Sequence, residues 1–160
     1  MKKLLLLIFT ILIMSQIFIS CSSNKNLNFK EFYSQIIGFD ENDEKSKSIE
    51  KDKILIMTNE DFQQFKDEYF TSREIFLESP DKEKAVLYLQ IPSVDSSVNT
   101  YTIQSMNVKN DTLTVNLQKS GVAQVDGING FNGTWKWVMF IEMDKTDLKD
   151  NMDIIVNKLN

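Results

Sequence analysis

The first 21 residues carry the feature that most constrains this chain. They indicate a leading segment that is not part of the folded domain, and they mark where the domain's own sequence starts. The chain starts with two lysines after Met1, runs without a charge from Leu4 to Ile19, and reaches its single cysteine, Cys21, directly after Ser20. A basic start, an apolar stretch and a small residue before the cut are typical of a secretory signal peptide. We therefore expect residues 1–20 to be removed, which leaves 140 of the 160 residues, enough for one compact core.

The end of this segment, Phe18–Ile19–Ser20–Cys21, resembles the lipobox of bacterial lipoproteins. The resemblance implies that the thiol of Cys21 receives a diacylglycerol, that Cys21 becomes the new N-terminus, and that the protein is anchored to the extracytoplasmic face of the cell membrane. Each buried methylene contributes about 0.8 kcal/mol, so two acyl chains give stable anchoring where one does not. The alternative is an uncleaved membrane anchor, although the apolar run is short for a span and Ser15–Gln16 interrupts it.

The composition excludes several kinds of chemistry. The chain has no histidine and one cysteine, which excludes Ser-His-Asp and Cys-His catalysis, histidine metal sites and an internal disulfide. Without residues 1–20, 16 basic residues face 23 acidic ones, a net charge of −7, and Arg73 is the only arginine. Nucleic-acid binding needs clustered lysine and arginine, so we expect no nucleic-acid partner.

The first part of the mature chain is predicted to hold a tether, a short helix and a charged loop. Residues 21–27 are polar and without periodicity, as in a tether. Between Asn28 and Gly38, five apolar residues fall at the spacing of one helical face: Phe29, Phe32, Tyr33, Ile36 and Ile37. Asn28 suits the N-cap and Gly38 the C-terminal stop, which predicts a short helix. The charged residues of Asp40 to Lys53 predict a solvated loop rather than a calcium site.

The rest, residues 53–160, is predicted to form a single α+β domain. Short apolar runs predict strands at Lys53–Met57, Ala85–Ile91 and Ile154–Val156, and Thr58–Asn59 begins a predicted helix that ends at Phe70. Alternation on both sides of Lys109–Asn110–Asp111 predicts a hairpin with a bulge at Gln104–Ser105. Trp135–Glu142 is apolar on both faces, which predicts a central strand. We expect five or six mainly antiparallel strands, in a small sandwich or open barrel, with one packed helix and the short N-terminal helix.

A glycine-rich loop, Lys119 to Thr134, is the first candidate binding site. It holds four of the five glycines but lacks the lysine of a Walker loop and leads into a strand. Turn geometry alone explains such glycines more often than binding does. If the loop is a binding lip, its candidate residues are Asp126, Asn129, Phe131 and Asn132. Trp135, which shares a strand face with Trp137, is a further candidate, although a buried tryptophan pair is the commoner outcome.

The mature chain also resembles a known family over Lys53 to Val156. The resemblance rests on Asp61–Phe62–Gln63–Gln64–Phe65, Val86–Leu87–Tyr88–Leu89, Asn99–Thr100–Tyr101–Thr102–Ile103 and Trp137–Val138–Met139–Phe140–Ile141–Glu142. This order looks like the C-terminal domain of bacterial protease-complex lipoprotein subunits, the PrcB-like family. In that family the third segment begins with two glycines and a tyrosine; here Tyr101 is kept, which makes it a candidate binding residue. The resemblance implies a non-catalytic, mainly β domain that assists or holds a surface protein.

These observations favour a lipid-anchored, non-enzymatic protein of the bacterial cell envelope that binds a partner protein or a wall component. We expect no cofactor and no metal. The alternative is a carboxylate-dependent hydrolase of wall glycan, for which Asp126 and Glu142 are the nominal candidates. A glycosidase needs two carboxyl groups about 5–10 Å apart across a cleft, a distance that no spacing in the sequence indicates.

Overall fold

The computed structural model describes residues 24–40, 49–70, 77–94, 97–125 and 133–159, and these residues form eight strands and one α-helix. In chain order the elements are β1 (Lys25–Asn26), β2 (Phe29–Asp40), β3 (Lys53–Ile56), α1 (Asn59–Tyr69), β4 (Lys84–Pro92), β5 (Ser97–Lys109), β6 (Thr112–Gln124), β7 (Gly133–Asp144), a 3₁₀ turn (Lys145–Asp147) and β8 (Asp153–Leu159). The predicted signal peptide and Cys21 lie outside the described residues, as does most of the predicted charged loop.

The strands form two four-stranded sheets. The inner sheet has the order β2-β7-β4-β3 and the outer sheet has the order β1-β5-β6-β8. All neighbouring strands pair antiparallel except β6 and β8, which pair parallel. The mainly antiparallel α+β prediction is therefore confirmed, with more strands than expected because β1 and β2 also join the sheets.

The inner sheet is covered on both faces, so the fold has three layers. The alternate β4 residues Ala85, Leu87, Leu89 and Ile91 belong to the core between the sheets, and Val86 and Tyr88 belong to the core beneath α1. β7 divides in the same way, with Met139 and Ile141 between the sheets and Phe140 beneath the helix. A strand buried on both faces reads as a nearly continuous apolar run, which confirms the prediction of a central strand at Trp135–Glu142.

The predicted N-terminal helix is wrong, because its residues form β2, the edge strand of the inner sheet. The register of β2 with β7 shifts between Glu31 and Tyr33, which marks a β-bulge at Phe32. A bulge places two consecutive side chains on one face, and here both Phe32 and Tyr33 pack against the core beneath α1. Two adjacent aromatic residues in one stripe imitate the i+3, i+4 spacing of a helix.

The hairpin prediction is confirmed in detail by β5 and β6. Their register shifts between Ile103 and Ser105, where the sequence indicated a bulge. Asn110 and Asp111 have φ angles of 49° and 60°, the left-handed values that a two-residue hairpin turn requires. Short polar side chains tolerate this region better than most, which is why the turn was readable from the sequence.

Candidate functional site

The two sheets end on one side of the sandwich in the edge strands β3 and β8, and no further strand of the described residues covers this side. We call it the open side and define it by four residues: Lys53 of β3 and Ile154, Val156 and Lys158 of β8. The other edge of β8 is paired with β6. Among the described residues, no strand pairs with β8 along the open side.

Lys53 crosses the gap between the sheets at this side. It lies opposite Leu89 in the β3–β4 register, and Leu89 belongs to the core between the sheets. Residues that lie opposite one another point to the same face, so the Lys53 side chain is directed towards the outer sheet. There its ammonium group donates a hydrogen bond to the carbonyl oxygen of Ile154. That carbonyl is therefore turned to the open side and not to β6.

A cavity lies on each side of Lys53. The larger, about 500 Å³, is lined by Lys53, Thr112, Met152, Asp153, Ile154 and Ile155. The smaller, about 210 Å³, is lined by Asp52, Lys53, Leu89, Gln90, Ile91, Pro92, Val156 and Lys158. Apolar residues of the inter-sheet core, including Leu89 and Ile91, thus border the smaller cavity.

Side-chain hydrogen bonds on the solvent face of the outer sheet hold β8 in place. The amide of Asn157 donates to the Asn116 amide oxygen at 2.9 Å, and the amide of Asn116 donates to the Ser105 hydroxyl at 2.9 Å. This chain of contacts runs across β8, β6 and β5. It helps to fix the register of the parallel pair, and leaves the opposite edge of β8 to the open side.

A buried polar cluster supports the smaller cavity from the other face of β4. Gln90 is 3% exposed, and its amide nitrogen donates to the Ile49 carbonyl at 2.8 Å and to the Asp52 carboxylate at 3.2 Å. Its amide oxygen accepts from the Tyr88 hydroxyl at 2.9 Å and from the Lys136 ammonium at 3.1 Å. Buried polar groups need such partners, so the cluster fixes the backbone that leads into β3.

The charges of the open side are unevenly compensated. Asp52 accepts the Gln90 hydrogen bond, whereas neither Lys53 nor Lys158 forms an ion pair with any residue that the structure describes. Both lysines border the 210 Å³ cavity. Leu89, Ile91, Pro92 and Val156 give this cavity an apolar part, and its polar part consists of Asp52, Gln90 and the two lysines, which have no described carboxylate partner.

A second groove of about 540 Å³ runs along α1. Its floor includes Ile54, Phe65 and Tyr69, and carboxylates of Glu50, Asp61 and Glu68 border it. Desolvation and the nearby Glu68 carboxylate raise the pKa of Tyr69 above its ordinary value. One wall of this groove, Ile49–Lys51, directly follows residues outside the described part of the chain.

Of the sequence-predicted binding residues, the structure describes Tyr101 and Trp135. Tyr101 is 7% exposed in the core between the sheets, where it serves packing. Trp135 is half-buried on β7, and its carbonyl oxygen accepts from the Ser93 amide at 2.7 Å. Trp137, on the same face, packs against the inter-sheet core, and its indole nitrogen is buried without a hydrogen-bond partner among the described residues.

The glycine-loop candidates Asp126, Asn129, Phe131 and Asn132 lie outside the described residues. Of the two nominal hydrolase carboxylates, only Glu142 is described. It lies in the middle of the inner sheet on β7, opposite Lys30 of β2 and Val86 of β4. Within the described residues, no three Asp, Glu, Cys or His side chains are grouped so that they could hold a metal ion.

Sequence reasoning missed Lys53, Ile154, Val156 and Lys158 as a site. The strand Ile154–Val156 was predicted, but pairing order determines which strand lies at an edge, and a single strand's sequence does not encode that order. One signal was present in the sequence. Ile155 and Leu159, with Asn157 between them, occupy alternate positions of the strand, on the face opposite to Ile154 and Val156. Ile155 is 48% and Leu159 38% exposed, unusual for large apolar residues in a strand.

No protein-family model, curated protein or solved structure matches this chain. Among the described residues, no helix is both long and apolar enough to span a membrane.

Proposed function

We propose that this chain is a lipid-anchored, non-enzymatic protein of the bacterial cell envelope, which binds a partner protein at the open side. The observation that carries the proposal is the edge of β8, which pairs with no strand that the structure describes, beside cavities partly lined by core side chains. Exposed strand edges attract further strands, and proteins normally cover or charge them where no partner is intended. The solvent face of β8 carries Asp153, Ile155, Asn157 and Leu159, of which only Asp153, the first residue of the strand, is charged.

The N-terminal sequence supports the anchoring. The lipobox-like segment ends at Cys21, and only Ser22, Ser23 and Asn24 separate it from β1. An extended residue spans at most about 3.5 Å, so three residues hold the start of β1 within about 10–15 Å of the acylated cysteine. The domain would thus work close to the bilayer surface and meet partners in the same membrane or the adjoining wall.

A non-enzymatic role is supported by the residue types available. Without histidine, and with its single cysteine assigned to lipidation, the chain has no means for the commonest nucleophilic mechanisms. The resemblance to the PrcB-like lipoprotein subunits points the same way, towards a domain that assists or holds a surface protein.

Crosslinking in intact cells tests this function. The protein is purified under denaturing conditions after crosslinking, and both its N-terminus and its adducts are identified by mass spectrometry. We expect a diacylglycerol on Cys21 and one enriched envelope protein. The Cys21→Ser variant is the control, and should lose both the acyl group and the membrane fraction. An acylated protein whose adducts contain only wall glycan would contradict the protein partner and favour a wall ligand.

A further inference from the structure

We propose, on the basis of the function above, that the partner presents an extended segment that pairs with β8 as a fifth strand of the outer sheet. A carboxylate of this segment lies between Lys53 and Lys158. The backbone, the cavities and the charges of the open side each support a different part of this assignment.

The backbone of β8 already presents hydrogen-bonding groups to the open side. The Ile154 carbonyl accepts from the Lys53 ammonium, which takes the place that a strand N–H would occupy. Successive residues of a strand direct their N–H and C=O groups to opposite sides, so Val156 and Lys158 point theirs the same way as Ile154. An added strand satisfies the groups of Val156 and Lys158 and the N–H of Ile154, while Lys53 keeps the Ile154 carbonyl, and strand addition to an exposed edge is an established mode of peptide recognition.

The cavities define what the added strand carries on its inward face. Side chains next to Ile154 and Val156 on that face enter the spaces of about 500 and 210 Å³ on each side of Lys53. The walls there include Met152, Leu89 and Ile91 of the inter-sheet core. Apolar side chains suit these walls, because they remove core surface from water.

The two lysines define the charge of the segment. Lys53 and Lys158 both border the smaller cavity and have no described carboxylate partner, whereas Asp52, which also borders it, accepts a hydrogen bond from Gln90. An aspartate or glutamate at the inward position between them would form charge-assisted hydrogen bonds in a site partly shielded from water. The solvent face of the same segment would pack beside Ile155 and Leu159, which are 48% and 38% exposed, so apolar residues suit that face too.

The same charges disfavour a second copy of this chain as the occupant. The inward face of β8 carries Ile154, Val156 and Lys158. A second β8 would therefore bring another lysine next to the two already present, and like charges close together are destabilising. A partner strand with a carboxylate reverses the sign of that interaction.

Selection of peptides on the full-length chain, purified in detergent, tests the assignment. The probe is a phage library of random nonapeptides, and the best binder is then synthesised. We expect it to contain an aspartate or glutamate among apolar residues, and to slow hydrogen exchange at the amides of Ile154, Val156 and Lys158. Its affinity should fall about tenfold or more for Lys53→Gln and for Lys158→Gln, as expected for a charge-assisted hydrogen bond. Lys119→Gln, on the exposed part of β6, is the matched control and should leave affinity unchanged. Thermal unfolding of each variant shows that it is folded.

Three results would overturn the inference. One is enrichment of peptides without carboxylates, and another is protection of β2 or β5 amides while those of β8 exchange freely. The third is protection of β8 without peptide that increases with protein concentration, which would assign the edge to a second copy. Each of these results is independent of the intact-cell experiment. If that experiment captures an envelope protein and one of these results is also obtained, the proposed function is supported and the strand-addition site is rejected.

Discussion

At the scale of single residues, Gln90 shows how a polar side chain can be accommodated within a strand that is buried on both faces. It lies on the same face of β4 as Val86 and Tyr88, and its side chain bonds both to buried groups and to Lys51 and Asp52 at the exposed rim. A sequence does not reveal such a residue, because the glutamine reads as a simple interruption of an apolar run. Apart from Tyr88, its side-chain partners come from residues about 40 positions away in either direction.

Replacing Gln90 by leucine should lower the free energy of unfolding by about 2–3 kcal/mol, because the Ile49 carbonyl loses its donor and Tyr88 and Lys136 lose an acceptor in a buried place. Urea unfolding measures the effect. Gln104→Leu, at an exposed position of β5, is the matched control and should stay within about 0.5 kcal/mol of the parent. An unchanged stability of Gln90→Leu would contradict the role given to the cluster.

For the aromatic candidate residues, the sequence does not show whether a side chain is buried in the core or available for binding. The family resemblance makes Tyr101 a candidate binding residue, but the structure places it in the inter-sheet core. Trp135 and Trp137 do share a face, and Trp137 packs against the core, the commoner outcome for such a pair. Aromatic residues are informative about burial, and the sequence alone does not distinguish a core aromatic from a binding aromatic.

At the scale of elements, helix α1 was predictable because its signals are local. The Thr58 hydroxyl accepts from the Asp61 amide at 3.0 Å and contacts the Asp61 carboxylate at 2.7 Å, while Phe62 and Phe65 face the inner sheet. Strand β2 was not predictable, because the bulge at Phe32 is fixed by pairing with β7 and not by neighbours in sequence. Its apolar spacing fits a helix and a bulged strand equally well.

Removing the cap should shorten or weaken α1. Thr58→Ala leaves the Asp61 amide without its side-chain acceptor, and the free energy of unfolding should fall by about 1 kcal/mol. Thr58→Ser keeps the hydroxyl and should restore most of that loss. Chemical unfolding of the three proteins gives the comparison; equal loss in both variants would show that the hydroxyl does not act as the cap.

The pairing of β4 with β7 contains an exposed ion pair that is sensitive to pH. Lys84 lies opposite Asp144 in the register, and their hydrogen bond is the main cause that raises the pKa of Lys84 above its ordinary value. A raised folded-state pKa contributes stability that is present at neutral pH and is lost as the pH rises through that pKa.

The Lys84→Gln variant should therefore be slightly less stable than the parent at pH 7, and the difference should begin to shrink as the pH approaches the raised pKa of Lys84. Unfolding curves between pH 7 and 11 provide the measurement. Lys119→Gln is the control for the general effect of removing one positive charge. A difference that grows with pH would have the wrong sign for this pair.

At the scale of the whole molecule, the number of layers was implicit in the sequence, whereas the pairing order was not. The apolar runs of β4 and β7 indicate strands covered on both faces, and α1 supplies one of the covers. The assignment of β2 and β3 to one sheet and of β8 to the edge of the other depends on contacts between residues far apart in the chain. The open side results from that strand order. It could therefore not be predicted from the sequence, and only the structure shows Lys53 beside Ile154.

The layer beneath α1 depends on one aromatic residue. Phe140 is fully buried and its ring contacts six others: Phe32, Tyr33, Phe62, Phe65, Phe70 and Tyr88. Phe140→Ala should lower the free energy of unfolding by about 3–5 kcal/mol, as for other large-to-small core changes.

Met139→Leu is the matched control for Phe140, because Met139 is its buried neighbour on the opposite face and the change conserves volume. It should cost less than about 1.5 kcal/mol. Phe140→Leu extends the series if the alanine variant does not fold. Equal losses of unfolding free energy for Met139→Leu and Phe140→Ala would show that the aromatic layer does not depend on Phe140.

The central claim is that the edge of β8 is the surface at which this protein holds its partner. The most direct test places a photo-crosslinking amino acid, benzoylphenylalanine, at position 155 of the full-length protein in living cells. A second variant carries it at position 122, where Val122 is similarly exposed on β6 beyond the part that pairs with β8. We predict an adduct with one envelope protein from position 155 and none from position 122. The same adduct from both positions, or none from position 155, would contradict the claim.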